Sequence, residues 1–100
     1  MIMATTDSIV TVYSSICFFC GRPAECEHHL LFGNGTRKLA EEDGLKVPAC
    51  NQCHTLGSVT GRIHDNPMAE KLSKMLGQVI FELEVGDRDD FMARYGKSYL

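Results

Sequence analysis

CFFC at residues 17–20, EHHLL at residues 27–31 and VPACNQCH at residues 47–54 decide how this chain folds. Two thiolates separated by two residues can reach one ion from a single turn, and two such pairs complete a tetrahedral zinc site. Cys17, Cys20, Cys50 and Cys53 are therefore read as four ligands of one structural Zn2+. A closed four-cysteine shell leaves no open position for substrate, so this ion braces the fold. Gly21 and Pro23 supply the turn chemistry that such a knuckle requires. The 29 residues between the pairs exceed the length of a compact zinc ribbon, so an insertion separates the knuckles. Redox activity and free buried thiols are the alternatives for these pairs. The fifth cysteine, Cys26, is left over and reads as a small buried hydrophobe.

Working outward, a chain of 100 residues is one small domain. Such a chain buries only roughly 60–70% of its unfolded surface, and a metal staple is a common remedy. The composition, 44% hydrophobic and 23% charged, argues against global disorder. No apolar run approaches the roughly 20 residues that a membrane-spanning helix needs. Residues 1–16 contain no Lys or Arg and do not read as a secretory leader, so the chain is expected to be intracellular. In a reducing compartment five thiols point to metal and not to disulfides, and an odd number cannot all pair. The net charge of −3 is low for a nucleic-acid binder. Residues 1–64 carry five bases against six acids, and residues 65–100 carry five against seven.

Residues 1–8 read as a mobile polar start, and Ile9–Ile16 as a short strand or extended arm. Residues 26–32 suit a strand, Gly33-Asn34-Gly35 a turn, and Thr36–Glu42 a single helical turn broken at Asp43-Gly44. A short helix is predicted from Asn51 to Gly57. Asn66 can cap a longer helix with Pro67 at its first position, where the missing N–H costs nothing. Met68, Leu72, Met75, Leu76, Val79, Ile80 and Leu83 then recur at helical spacing as one apolar stripe. That stripe is expected to cover the core, with a homodimer interface through helix 67–84 as the other use. Gly77 interrupts it, at a cost of roughly 1 kcal/mol relative to alanine. A last short helix runs from Asp87 to Gly96.

Adjacent side chains on a strand face opposite ways, so His28 and His29 cannot easily serve one ion together. One can bind a metal while the other activates water. His54, fixed beside a zinc cysteine, is the second candidate ligand, and His64 a third. The plain reading of any one of these rings is a core or surface histidine.

The order Cys-x-x-Cys, His-His before aliphatic residues, then Val-Pro-Ala-Cys-x-x-Cys-His resembles the HNH (ββα-metal) endonucleases over about residues 17–64. Within them it is most similar to small phage-encoded, zinc-containing members, including recombination-enhancement-type nucleases. The resemblance implies a zinc-stapled, treble-clef-like core that grips one further divalent metal. It makes His28 and His54 ligands of a catalytic ion (Mg2+, Mn2+ or another divalent metal) and His29 the general base that deprotonates water. The middle Asn of the motif is missing: Leu45 stands there, and Asp43 and Asn51 lie off the expected position.

The expected architecture is thus α+β in a single domain: an arm over 1–16, a ββα-metal core over 17–64, and helices over 65–100. The expected function is a metal-dependent DNA endonuclease, phage or prophage encoded, acting in the bacterial cytoplasm. Arg22, Arg37, Lys38 and Arg62 flank the site as candidate phosphate contacts, with ordinary solvated surface as the alternative. The first rival is a zinc-binding module for nucleic acid or protein that has lost catalysis. The second is a purely structural zinc domain of a phage assembly or host-inhibitor protein.

Overall fold

The computed structural model describes residues 7–33 and 35–100. Most of the polar start and Asn34, at the centre of the predicted turn, lie outside the described residues. The architecture is mixed α+β: strands β1 (Cys26–His29) and β2 (Lys46–Ala49), and helices α1 (Thr36–Asp43), α2 (Pro67–Glu84) and α3 (Arg88–Tyr95). The two strands pair antiparallel, with Cys26 opposite Ala49 and His29 opposite Lys46. Instead of a tight turn, α1 fills their connection. It is eight residues long, not the single turn predicted. Gly44, at φ 72°, ends it in the left-handed region and donates back to Ala40 and Glu41. Ile9–Ile16 forms no strand among the described residues. Its one ladder contact is a single bridge from Ile16 to Pro23.

The hairpin separates two interiors. On one side Leu31, Ala40, Leu45, Phe81, Phe91 and Tyr95 form the apolar core. On the other, Cys17, Ala49 and Cys50 cluster with Cys26 and Cys53. The predicted ends of α2 and α3 hold. The Asn66 side chain accepts from the Ala69 N–H, and Pro67 opens the helix. Asp87 and Asp90 form a reciprocal capping box, and Gly96 closes α3 at φ 91°.

The face of α2 differs from expectation. Met68, Leu72 and Leu83 are exposed at 73%, 67% and 71%, while Ser73, Gly77, Gln78 and Phe81 are buried. Small residues turn inward because the helix lies almost against the chain that follows β1. A Cβ on Gly77 would sit 3.0 Å from Leu31 and 3.1 Å from Leu30, both fully buried. Gly77 therefore sets the helix-to-hairpin distance, and Ser73, one turn earlier, reaches the end of β1.

Candidate metal centres

Two side-chain clusters lie along the hairpin. In the first, one ligand atom from each of Cys17, Cys20, Cys50 and Cys53 lies within 4.8 Å of all the others. The knuckle at Cys17 is a tight turn: Gly21, at φ 81°, donates to the Cys17 carbonyl at 3.0 Å. Phe18 and Glu25 donate to the carbonyls of Pro48 and Ala49 at 2.8 and 2.9 Å, which lays this knuckle against β2. Cys50 closes β2, and Cys53 follows on a wide π-helical turn, Gln52–Leu56, where a regular short helix was predicted. The Sγ atoms of Cys20 and Cys50 are 3.6 Å apart. Sulfurs held tetrahedrally about 2.3 Å from zinc stand roughly 3.8 Å apart, so the spacing suits that ion. Burial raises the Cys17 thiol's proton affinity, but backbone donors at Cys50, Phe19 and Cys20 outweigh it and bring its pKa to about 6. Burial and the neighbouring thiols push Cys53 far up. Such a group of thiols ionises fully only around a cation.

The second cluster consists of His28, His54 and His64, again with one ligand atom each within 4.8 Å of the others. Their ring centroids form a near-equilateral triangle of 5.2, 5.2 and 4.7 Å. Each ring comes from a different piece of chain: β1, the turn after Cys53, and the loop before α2. Arg62 makes that last placement possible. It donates to the carbonyls of His64 and Gly57 and pairs with Asp65 at 3.1 Å. Its guanidinium, expected from sequence as a phosphate contact, thus braces the loop.

Partners on the outer nitrogens fix the tautomers of His28 and His54. Ser73 Oγ donates to the Leu30 carbonyl at 2.9 Å, so toward His28 Nε2, 2.8 Å away, it can only accept. His28 therefore carries its proton on Nε2 and a lone pair on Nδ1. That Nδ1 is a buried polar atom with no partner among the described residues. Likewise, Cys26 Sγ donates to the Ala49 carbonyl and accepts from His54 Nδ1, both at 3.4 Å. Cys26 is thus more than the buried hydrophobe the sequence suggested. His64 Nδ1 faces Glu70 Oε2 at 3.7 Å. Inside, His28 Nδ1 and His54 Nε2 carry lone pairs, and His54 Nε2 lies 3.0 Å from His64 Nε2, which donates to it in one tautomer and offers a third ligand nitrogen in the other. Nitrogens about 2.1 Å from one ion stand roughly 3.0–3.4 Å apart, so the spacing of His54 and His64 suits a divalent transition metal, with a His28 nitrogen within 4.8 Å of both. Three protein ligands leave a fourth position open, as in catalytic sites.

Burial, reinforced by its histidine neighbours, lowers the pKa of His28 to about 3. The unfolded chain takes up that proton near the ordinary value of 6.5, whereas the folded chain resists it down to about 3. Stability contributed by neutral His28 is therefore complete above pH 6.5 and lost as pH falls between those values. The denaturant midpoint is expected to drop across that interval, and to drop less in His28→Gln. Equal slopes would remove His28 from the account.

His29 does not join the triangle. It sits on the opposite face of β1, 7% exposed, with Nε2 2.8 Å from Glu41 Oε1 on α1. Glu41 also accepts from Lys46 Nζ at 2.8 Å, and these two partners hold its carboxyl below the usual range. Since the carboxylate accepts from Nε2–H, the basic atom of His29 is Nδ1. Glu41 went unnoticed in the sequence, although its place on a short helix between the paired strands puts it beside His29. Leu45 is fully buried in the core. Asp43 is engaged by Arg94 and Tyr95, and Asn51 by Glu25, so neither reaches His29. Arg22, Arg37 and Lys38 are exposed and have no ion-pair partner among the described residues. Arg37 lies close enough for its charge to depress the His54 pKa, behind burial and the other histidines. Among the described residues no helix is long and apolar enough to cross a membrane. Comparison with protein-family models, with curated proteins and with solved structures yields no match.

Proposed function

We propose that the chain is a zinc-braced, metal-dependent endonuclease of the HNH (ββα-metal) type that hydrolyses DNA phosphodiester bonds. The observation that carries this reading is the inner face of the histidine triangle. His28 and His54 keep their protons on the outer nitrogens, and with His64 they bring three ring nitrogens within 4.8 Å of one another, next in sequence to a histidine–carboxylate pair. A bound ion would stabilise charge on the phosphate and on the departing 3′ oxygen. His29 Nδ1 would accept the proton of the attacking water, with Glu41 holding the ring and stabilising its charged form. Glu41 would thus do for the base what the missing middle Asn does in the family. The treble-clef-like core, the phage or prophage origin and action in the bacterial cytoplasm belong to the same proposal and rest on the resemblance of residues 17–64.

One observation favours the rival, a binding module without catalysis: His29 is nearly buried and faces away from the triangle. Supercoiled plasmid separates the two. The wild type is expected to nick it with Mn2+, Co2+ or Zn2+, and His29→Ala to lose at least a hundredfold in rate, at the lower end of what a general base contributes (roughly 100- to 10,000-fold). Binding without nicking under any of these ions decides for the module.

A further inference from the structure

The chain's positive charge is distributed unevenly once ion pairs are taken into account. Lys46, Arg62, Arg88 and Arg94 are each held by carboxylates. Of the six Lys and Arg residues that have no such partner among the described residues, Lys71, Lys74 and Lys97 line one cavity of about 490 Å3 between α2 and the segment after α3. The single acidic side chain of that lining, Glu70, is engaged elsewhere: it accepts from the Asp65 N–H at 3.0 Å and faces His64. Three lysines against one carboxylate side chain leave this lining cationic in an acidic protein, which suits an anionic ligand.

Tyr99 lines the same cavity, with Lys97 and Lys74 near its ring at 5.3 and 5.7 Å. Lys74 also lies 4.6 Å over Phe32, whose ring centroid is 4.7 Å from that of His64. The cationic cavity therefore begins one aromatic ring away from the histidine triangle. Lysines along a groove with an aromatic ring among them suit a single nucleic-acid strand, with phosphates on the ammonium groups and a base against the tyrosine.

We propose that Lys71, Lys74, Lys97 and Tyr99 form a binding site for a single-stranded stretch of nucleic acid leading from the three-histidine cluster. The proposal deepens the endonuclease reading by naming the path of its substrate. None of these residues was among the phosphate contacts expected from sequence.

The test is the salt dependence of binding, read by fluorescence anisotropy with a labelled oligothymidylate and no added divalent ion. Each phosphate contact on a single strand contributes about 0.7 to the slope of log K against log salt. Lys71→Gln/Lys97→Gln removes two contacts and should flatten the slope by about 1.4, whereas Arg88→Gln, whose parent side chain is already paired with Glu82, should leave it unchanged. Lys74 is spared because it packs on Phe32. An unchanged slope in the double variant overturns the proposal. So does a wild type that ignores the oligonucleotide, or one that binds only phosphatidylserine vesicles through these lysines. Lysine-dependent binding without nicking under any metal would sink the endonuclease and leave the strand site standing; nicking with an unaltered slope would do the reverse.

Discussion

Cys50→Ser, or treatment with a strong zinc chelator, should abolish the cooperative melting transition and strip amide protection from both knuckles and the hairpin. Cys50 is 2% exposed at the end of β2, and its loss opens the four-sulfur shell. Residues 7–25 contain no helix and no paired strand beyond one bridge; backbone bonds such as Phe18 to Pro48 and Glu25 to Ala49 hold them down. The hairpin itself has four residues per strand, and an isolated pair of strands is marginal in water. Structural zinc contributes on the order of 10 kcal/mol in small domains, comparable with the whole stability of a protein this size. The variant is thus expected to bind one ion fewer and to keep at most a loose association of α1, α2 and α3. A Cys50→Ser protein that melts cooperatively near the wild-type temperature would show that the thiols are incidental to the fold.

The sequence made the ends of the helices legible because caps are local. Asn66-Pro67, Asp87 and Gly96 each act within one turn, and each stands where the pattern put it, although the Asp90 half of the box at Asp87 went unread. The spacing of the cysteines was equally readable, since two residues between ligands is a geometric requirement of one turn. What failed was the burial of α2. Periodicity marked Met68, Leu72 and Leu83 as the inward face, but the hairpin lies so close that only Ser73 and Gly77 fit beneath it. Small residues leave no hydrophobic signature, so close approach is invisible to a pattern of large side chains. The same limit hid Ser73, Cys26 and Glu70 as supports for the histidines. They act across 45, 28 and 6 residues of sequence, and nothing local marks a serine, a cysteine or a glutamate as an imidazole's outer partner. Arg62 shows the converse: near His64 in sequence it reads as a free cation, whereas folding commits one donor of each of its three nitrogens to the loop that carries that histidine.

The three-histidine cluster should take a late first-row metal ion and refuse Mg2+. Mg2+ demands near-octahedral oxygen and keeps its waters, whereas three neutral imidazoles offer nitrogen alone. Among the described residues no carboxylate joins the inner nitrogens of His28, His54 and His64. Glu70, the nearest acid, approaches from outside and faces His64 Nδ1. Affinity is therefore expected to rise from Mn2+ through Co2+ to Ni2+ and Cu2+, with Zn2+ below Cu2+. Protein reconstituted with Co2+ should hold two ions per chain, one with the intense charge-transfer bands of thiolate ligation and one without. His64→Ala should remove the second ion while leaving the thiolate bands and the melting transition in place, because His64 is part-exposed on a loop that Arg62 still braces. Ser73→Ala frees the Nε2 of His28 and lets its ring turn, so it should weaken the second ion by roughly 10- to 100-fold without touching a ligand. If one ion suffices at saturation, or if millimolar Mg2+ displaces Co2+ from the histidines, the lone pairs inferred at the centre of the triangle are not a metal site.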